Sequence, residues 1–304
     1  MAEIYTDAER HGISKDNAYT YDMLVSDIVK FKEENLEIPV FSIGKSVEGR
    51  ELYAFKIGSG SRRVFICGAH HGMEWLTAKV CMEFGKELAD ACAGRKSFEQ
   101  QASTQQICFK DETHRGKENS FDFPSVYIVP MVNPDGVEIA ASGYRWQANA
   151  RGVDLNHNYD ALWSLSRVAE EKFGIVRPCA SKYGGEYPES EPESRAVADF
   201  TRENNFDAVF ALHSQGEVIY YDFCGIVPEG SEKFLRQFEH CSDYVRDMPV
   251  GTAVYGGYKD WFIKKFKKPG FTIEIGRGEN PLPLSDFDEV YSGVRGVLQC
   301  AIGF

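Results

Sequence analysis

Residues 68–80 read Gly-Ala-His-His-Gly-Met-Glu-Trp-Leu-Thr-Ala-Lys-Val and place His70, His71 and Glu74 where an apolar run meets an amphipathic one. Buried strands do not usually end in paired histidines, so the segment must hold something. Two other apolar runs end in similar chemistry. Asp-Ala-Val-Phe-Ala-Leu leads into His213-Ser214, and Gly-Phe-Thr-Ile leads into Glu274. Two histidines and one glutamate are a known donor set for a hydrolytic zinc, which keeps a further position open for water. His71 and Glu74, three residues apart, can reach a common point at a strand-to-helix turn. His213 would come from a separate strand, and Glu274 could take the proton of a metal-activated water. Singly, each residue is weak evidence: His-x-x-Glu pairs arise by chance, and a lone strand-end histidine is more often structural. Their conjunction on three strand ends points to a metal site.

The elements that must position these residues can be read from the apolar pattern. Runs at 51–58, 62–69, 125–132, 207–214, 218–223 and 270–276 have the composition of buried strands. Helix-like segments lie at 18–34, 74–93, 191–204, 231–246, 257–267 and 285–302. Ser190-Glu191-Pro192-Glu193 reads as a capping box with an early proline. Asn133-Pro134-Asp135-Gly136 reads as a turn closing the preceding strand. Continuous apolar strands alternating with helices predict a single α/β/α domain over residues 1–304. Its central sheet should be mixed, mostly parallel, twisted and covered by helices on both faces. The polar stretch 95–122 is expected to be a surface insertion. In such sheets ligands bind at the carboxyl ends of the strands.

Composition narrows the function classes. Hydrophobic residues at 43% and charged residues at 26% suit an ordinary soluble globular protein. A net charge of −12 argues against a nucleic acid or an anionic membrane as partner. No stretch approaches the roughly 20 apolar residues of a membrane span. The opening Met-Ala-Glu-Ile-Tyr-Thr-Asp lacks the basic and apolar regions of a signal peptide, so a cytoplasmic location is expected. Eight scattered cysteines, none in a Cys-x-x-Cys pair, are expected to be reduced thiols. The oligomeric state leaves no mark in the sequence.

Five ordered motifs, spread from about residue 40 to residue 295, resemble the zinc carboxypeptidase family of carboxypeptidase A-like metallopeptidases. They are His71-x-x-Glu74-Trp75, Asn133-Pro134-Asp135-Gly136, Gly152-Val153-Asp154-Leu155-Asn156, His213-Ser214 and the strand around Glu274. The resemblance implies one zinc per chain held by His71, Glu74 and His213, with Glu274 as general base. Alignment on Glu74 makes His71, not His70, the ligand. Asp154 is implied to accept a hydrogen bond from His71 and so fix its tautomer. Asn156, His157, Gln147, Lys259 and Tyr255 are implied to face the substrate.

The departures from the family's pattern bear on substrate. Its Asn-Arg pair, which grips a terminal carboxylate, is Asn156-His157 here. Its oxyanion arginine is Gln147, the arginine between the first two ligands is Met73, and its closing tyrosine aligns with Thr252, with Tyr255 nearby. An always-charged fork is thus missing where a free C-terminus would dock. Arg145, Arg151 and Arg277 lie beside the motifs as candidate replacements. Trp146-Gln147-Ala148-Asn149, His213-Ser214-Gln215-Gly216-Glu217 and Gly256-Gly257-Tyr258-Lys259-Asp260-Trp261 are similar to the γ-D-glutamyl-L-diamino acid peptidases, which cut bacterial cell-wall peptides. That branch implies a cell-wall-derived peptide as substrate. A lysine at position 259 would favour a substrate carboxylate; its plainer reading is a solvated surface lysine. Two other readings remain: a conventional carboxypeptidase trimming C-terminal residues, and a non-catalytic zinc protein that binds peptides.

Overall fold

Side chains that alternate along the central strands between two separate cores explain why those strands read as continuous apolar runs. The computed structural model describes residues 9–94 and 123–303. The expected insertion at 95–122, with Cys108, lies outside them. The strands are β1 (Val40–Lys45), β2 (Glu51–Ile57), β3 (Arg63–Cys67), β4 (Ser125–Val129), β5 (Ala208–His213), β6 (Val218–Tyr220), β7 (Val245–Arg246) and β8 (Gly270–Glu274). They form one sheet in the order β1-β2-β4-β3-β5-β8-β6-β7. β4, β3, β5 and β8 are parallel neighbours at its centre. Antiparallel pairing joins β1 to β2, β2 to β4 and β6 to β8. The fold is therefore mixed α/β, as expected.

The helices are α1 (Tyr21–Glu34), α2 (Trp75–Cys92), α3 (Pro134–Ala141), α4 (Trp163–Lys172), α5 (Pro192–Asn204), α6 (Ser231–Cys241), α7 (Tyr258–Phe266) and α8 (Phe287–Ile302). One core joins α1, α2, α6 and α8 to Val64 and Ile66 of β3, Phe210 and Leu212 of β5, and Ile273 of β8. The other joins α5 and α7 to Phe65 and Cys67 of β3 and Val209 and Ala211 of β5. Successive residues face opposite layers, which is the period-2 geometry of a strand buried on both sides.

Several local expectations are corrected. Asn133-Pro134-Asp135-Gly136 begins α3 instead of closing a turn: Asn133 Oδ1 accepts from Gly136 N at 2.9 Å, and Pro134 takes the first helical position. The capping box at Ser190 does not form. Glu191 is the N-cap of α5, the Ser190 hydroxyl donates to Glu191 Oε1, and Glu193 accepts from Val47 N. The helix expected over 231–246 ends at Cys241, and β7 follows. α4, β1 and β7 have no counterpart in the apolar pattern. Seven cysteines are free thiols among the described residues.

Candidate metal centre and substrate face

β3, β5 and β8 end at the same side of the sheet, and their next residues build the site. After Cys67 the chain bends at Ala69, with φ +50°, and Ala69 N donates to Thr77 Oγ1 at 2.7 Å. This bend turns His71 and Glu74 inward. Gly72 allows the loop to close: a Cβ there would lie 2.3 Å from Gly136 O, and its N–H donates to Gln147 O. On β5 and β8, His213 pairs directly with Glu274 in the parallel register.

Three side chains converge. His71 Nδ1 lies 2.8 Å from Glu74 Oε1, His213 Nδ1 lies 3.0 Å from Glu74 Oε2, and the two Nδ1 atoms are 3.3 Å apart. Among the described residues this is the one group of three or more such side chains placed to share an ion. The donor set passes a geometric test for zinc. Bonds of ~2.0–2.1 Å in a tetrahedral complex put neighbouring donors ~3.3 Å apart. His71 Nε2 lies 3.1 Å from Asp154 Oδ1, and since a carboxylate only accepts, that nitrogen carries the proton. In the neutral ring that a metal ligand requires, the Nδ1 lone pair is thereby aimed at Glu74 and His213. Without a metal, burial opposes charge on the ring, but Glu74 and Asp154 outweigh it and raise its pKa well above the usual range. Among the described residues, His213 Nε2 is buried without a hydrogen-bond partner, so none of them braces that ring as Asp154 braces His71.

Charge sharpens the picture. Burial works against ionisation of Glu74, but His71 and His213 hold its carboxyl well below the usual range. Asp154 is likewise buried yet held low by His71 and His157, with Lys182 N donating to its Oδ2. Glu274 behaves oppositely. It is half-buried by exposure, but ringed by protein, and that burial pushes its carboxyl well above the usual range, with Glu74 adding and His71 opposing. A carboxyl poised in this way beside a metal site is suited to proton transfer. His70 stays outside the group, with Nε2 at 3.0 Å from the Tyr159 hydroxyl.

The substrate-facing candidates are more dispersed. Asn156 Oδ1 accepts from Tyr258 N at 3.0 Å, tying residues 155–157 to the start of α7. His157 is buried beside them, with Nδ1 at 3.1 Å from Glu170 Oε1 on α4. Gly256, at φ +82°, packs on that segment; a Cβ would sit 2.8 Å from His157 O. Gln147 lies beside the metal-site loop, linked through its backbone to Gly72. Tyr255 is half-buried, and its carbonyl accepts from Ser166 Oγ. Thr252 is buried at the end of the same loop.

Lys259 is not a solvated surface lysine. It is 4% exposed, its ammonium donates to Asp222 O at 2.5 Å, and it lies 2.5 Å from Asp260 Oδ1. Burial pushes the Asp260 carboxyl up, against the attraction of Lys259. Nor does any candidate arginine stand free. Arg145 pairs with Glu279 and Asn280 O, Arg151 with Glu191, and Arg277 with Glu217 at an exposed position. Glu170 escaped the sequence reading: it sits in a polar helix, and only its burial against His157 reveals it.

An α/β sheet whose parallel strand ends gather two histidines and a glutamate has the architecture of a metal-dependent hydrolase. The comparisons make this specific: the chain belongs to the zinc carboxypeptidase family, whose profile matches residues 26–293. It is thus an enzyme of a zinc-dependent metallopeptidase family. It is 33% identical over 303 residues to γ-D-glutamyl-L-diamino acid endopeptidase 1 of Lysinibacillus sphaericus, covering 92% of this chain and 71% of that protein. It is 26% identical over 302 residues to rat carboxypeptidase B, covering 89% and 66%. The fold matches bovine thrombin-activatable fibrinolysis inhibitor in complex with tick carboxypeptidase inhibitor. There the TM-score is 0.71 and the identity 22%, over 95% of this chain and 97% of the other.

Proposed function

We propose that this enzyme hydrolyses the amide bond between the γ-carboxyl of a D-glutamyl residue and a diamino acid in peptides derived from bacterial cell wall. The observation that carries the hydrolytic part is the convergence of His71, Glu74 and His213, backed by Asp154 and flanked by Glu274. In this reading His71, Glu74 and His213 would hold one zinc, which would supply Lewis acidity at the site. Glu274 takes a proton from the attacking water and delivers it to the departing amine. Asp154 keeps His71 in the tautomer that presents Nδ1. Asn156, His157, Gln147, Lys259 and Tyr255 bind and orient the peptide.

The substrate class is supported by the relative of L. sphaericus and by the residues that replace the family's arginines. Lys259 meets Asp260 inside the protein, so its contribution to binding is that of an ion pair, not a bare cation. This differs from the expectation that a free lysine charge would attract a carboxylate. The test is to incubate the zinc-loaded enzyme with L-Ala-γ-D-Glu-meso-diaminopimelate and with ordinary L-tripeptides, and to weigh the products. Cleavage at the γ-linkage, with little turnover of the tripeptides, is expected. Preferential release of C-terminal residues from the L-tripeptides would replace this reading with conventional carboxypeptidase action.

A further inference from the structure

Glu170 is fully buried on α4 and gathers donors from three directions. Its Oε1 lies 3.1 Å from His157 Nδ1 and accepts from Ser166 Oγ at 2.9 Å. Its Oε2 accepts from Gly184 N at 3.0 Å and from the Arg167 guanidinium. Burial alone would raise its carboxyl; His157 and Gly184 N hold it below the usual range. An ionised carboxylate can only accept, so Nδ1 of His157 must carry a proton. Nε2 of a neutral ring is then a lone pair, which repels a carboxylate. It becomes a donor only when the ring is a cation.

We infer that Glu170 is a positioning residue that fixes His157 so that it grips a substrate carboxylate only as an imidazolium. A proton-dependent charge thus stands where a permanent arginine charge would otherwise be. This rests on the proposed placement of His157 at the substrate. The charged groups around the ring are consistent with a cation there. On α4, Arg167 offsets Glu170, and on α7, Lys259 offsets Asp260. Asp154, on the ring's own segment, and Asp222, beside Lys259, leave negative charge over. Tyr255 contributes a backbone carbonyl through Ser166. The consequence is specific: preference for a free carboxylate over a carboxamide falls as pH rises.

Paired substrates test this. A γ-D-Glu-diaminopimelate peptide and its carboxamide, with a matching α-linked pair, are assayed from about pH 6 to about pH 9. The acid-to-amide ratio of kcat/KM is expected to fall by up to about tenfold per pH unit where the cation gives way to the neutral ring, carried by KM. Glu170→Gln should give a low ratio that is flat with pH, while His157→Arg should hold it high throughout. A flat ratio in the unaltered enzyme, or an unchanged profile in Glu170→Gln, overturns the inference. Nitrogen NMR of labelled histidines, with His157 assigned from His157→Gln, reads the same point without turnover. Nδ1 should stay protonated while Nε2 titrates, and a neutral ring protonated on Nε2 would contradict the role. Failure to cleave the γ-linked pair would sink the wall-peptide reading alone, because the α-linked pair and the NMR still decide this one.

Discussion

The rim at the ends of β3, β5 and β8 and the face formed by residues 155–170 and 255–260 are held in place by different physics. At the rim, backbone pairing does the work: His213 opposite Glu274 is a consequence of sheet register, and His71 follows β3 by a fixed bend. On the proposed substrate face, position comes from side-chain ion pairs and hydrogen bonds. Glu170 orients His157, Asp260 meets Lys259, and Asn156 caps the approach to α7. A register-built centre keeps its chemistry while the connecting segments change around it. An ion-pair-built face can be respecified by one or two substitutions. This separation lets one fold hold one reaction and many substrates.

The comparison is broken most directly at Glu274. Glu274→Gln should retain zinc and the fold but lose ~10²–10⁴-fold in kcat. Turnover near the original rate would remove Glu274 from the reaction. Its raised carboxyl also sets a pH dependence. The base works ionised, so kcat/KM should fall as pH drops through a value above the ordinary carboxylate range. A cation among His71, Glu74 and His213 would draw that value back down. The acid limb should be absent from the residual rate of Glu274→Gln.

On the substrate face, His157→Ala and Lys259→Ala should each cost roughly tenfold to a hundredfold in kcat/KM on the diaminopimelate peptide, with smaller losses on neutral peptides. Equal losses on both would make these residues general supports of the site. Behind the rim, Asp154→Asn should weaken zinc by about 10–100-fold, read by competition with a chelator. Unchanged affinity would show that His71 needs no brace.

Stability, not turnover, is what Glu193 changes; it supports the turn before Asp154 through Asn149. Burial pushes its carboxyl up to about 7 from 4.5. The folded state therefore holds a proton that the unfolded chain releases. Stability from this group is fully present below about 4.5 and declines as pH rises to about 7, by up to about 3 kcal/mol. Denaturant melts of Glu193→Gln should lack that decline; the same slope in both proteins would assign it elsewhere.

The two regions also differed in legibility. The metal-site residues could be read because polar donors interrupt apolar strands, a pattern that local sequence carries. Glu170 could not, because its meaning lies in contact with a histidine on another segment. α4 was hidden because it exposes Leu165 and Val168 and buries Ser166 and Glu170, the reverse of an amphipathic pattern. β1 and β7 lie at the sheet's edges and are only partly buried, so they lack continuous apolar runs. Lys259 misled because residues adjacent on a helix do not usually face each other. Here Asp260 does so at the first turn of α7.

The central claim is that His71, Glu74 and His213 together hold one zinc, and zinc itself tests it. Metal analysis with X-ray absorption on the purified chain should find one zinc per chain. Its nitrogen ligands should lie at ~2.0–2.1 Å and a carboxylate oxygen at ~2.0–2.2 Å, and tight binding should be lost in His71→Ala. Stoichiometric, tight zinc in His71→Ala would contradict the assignment.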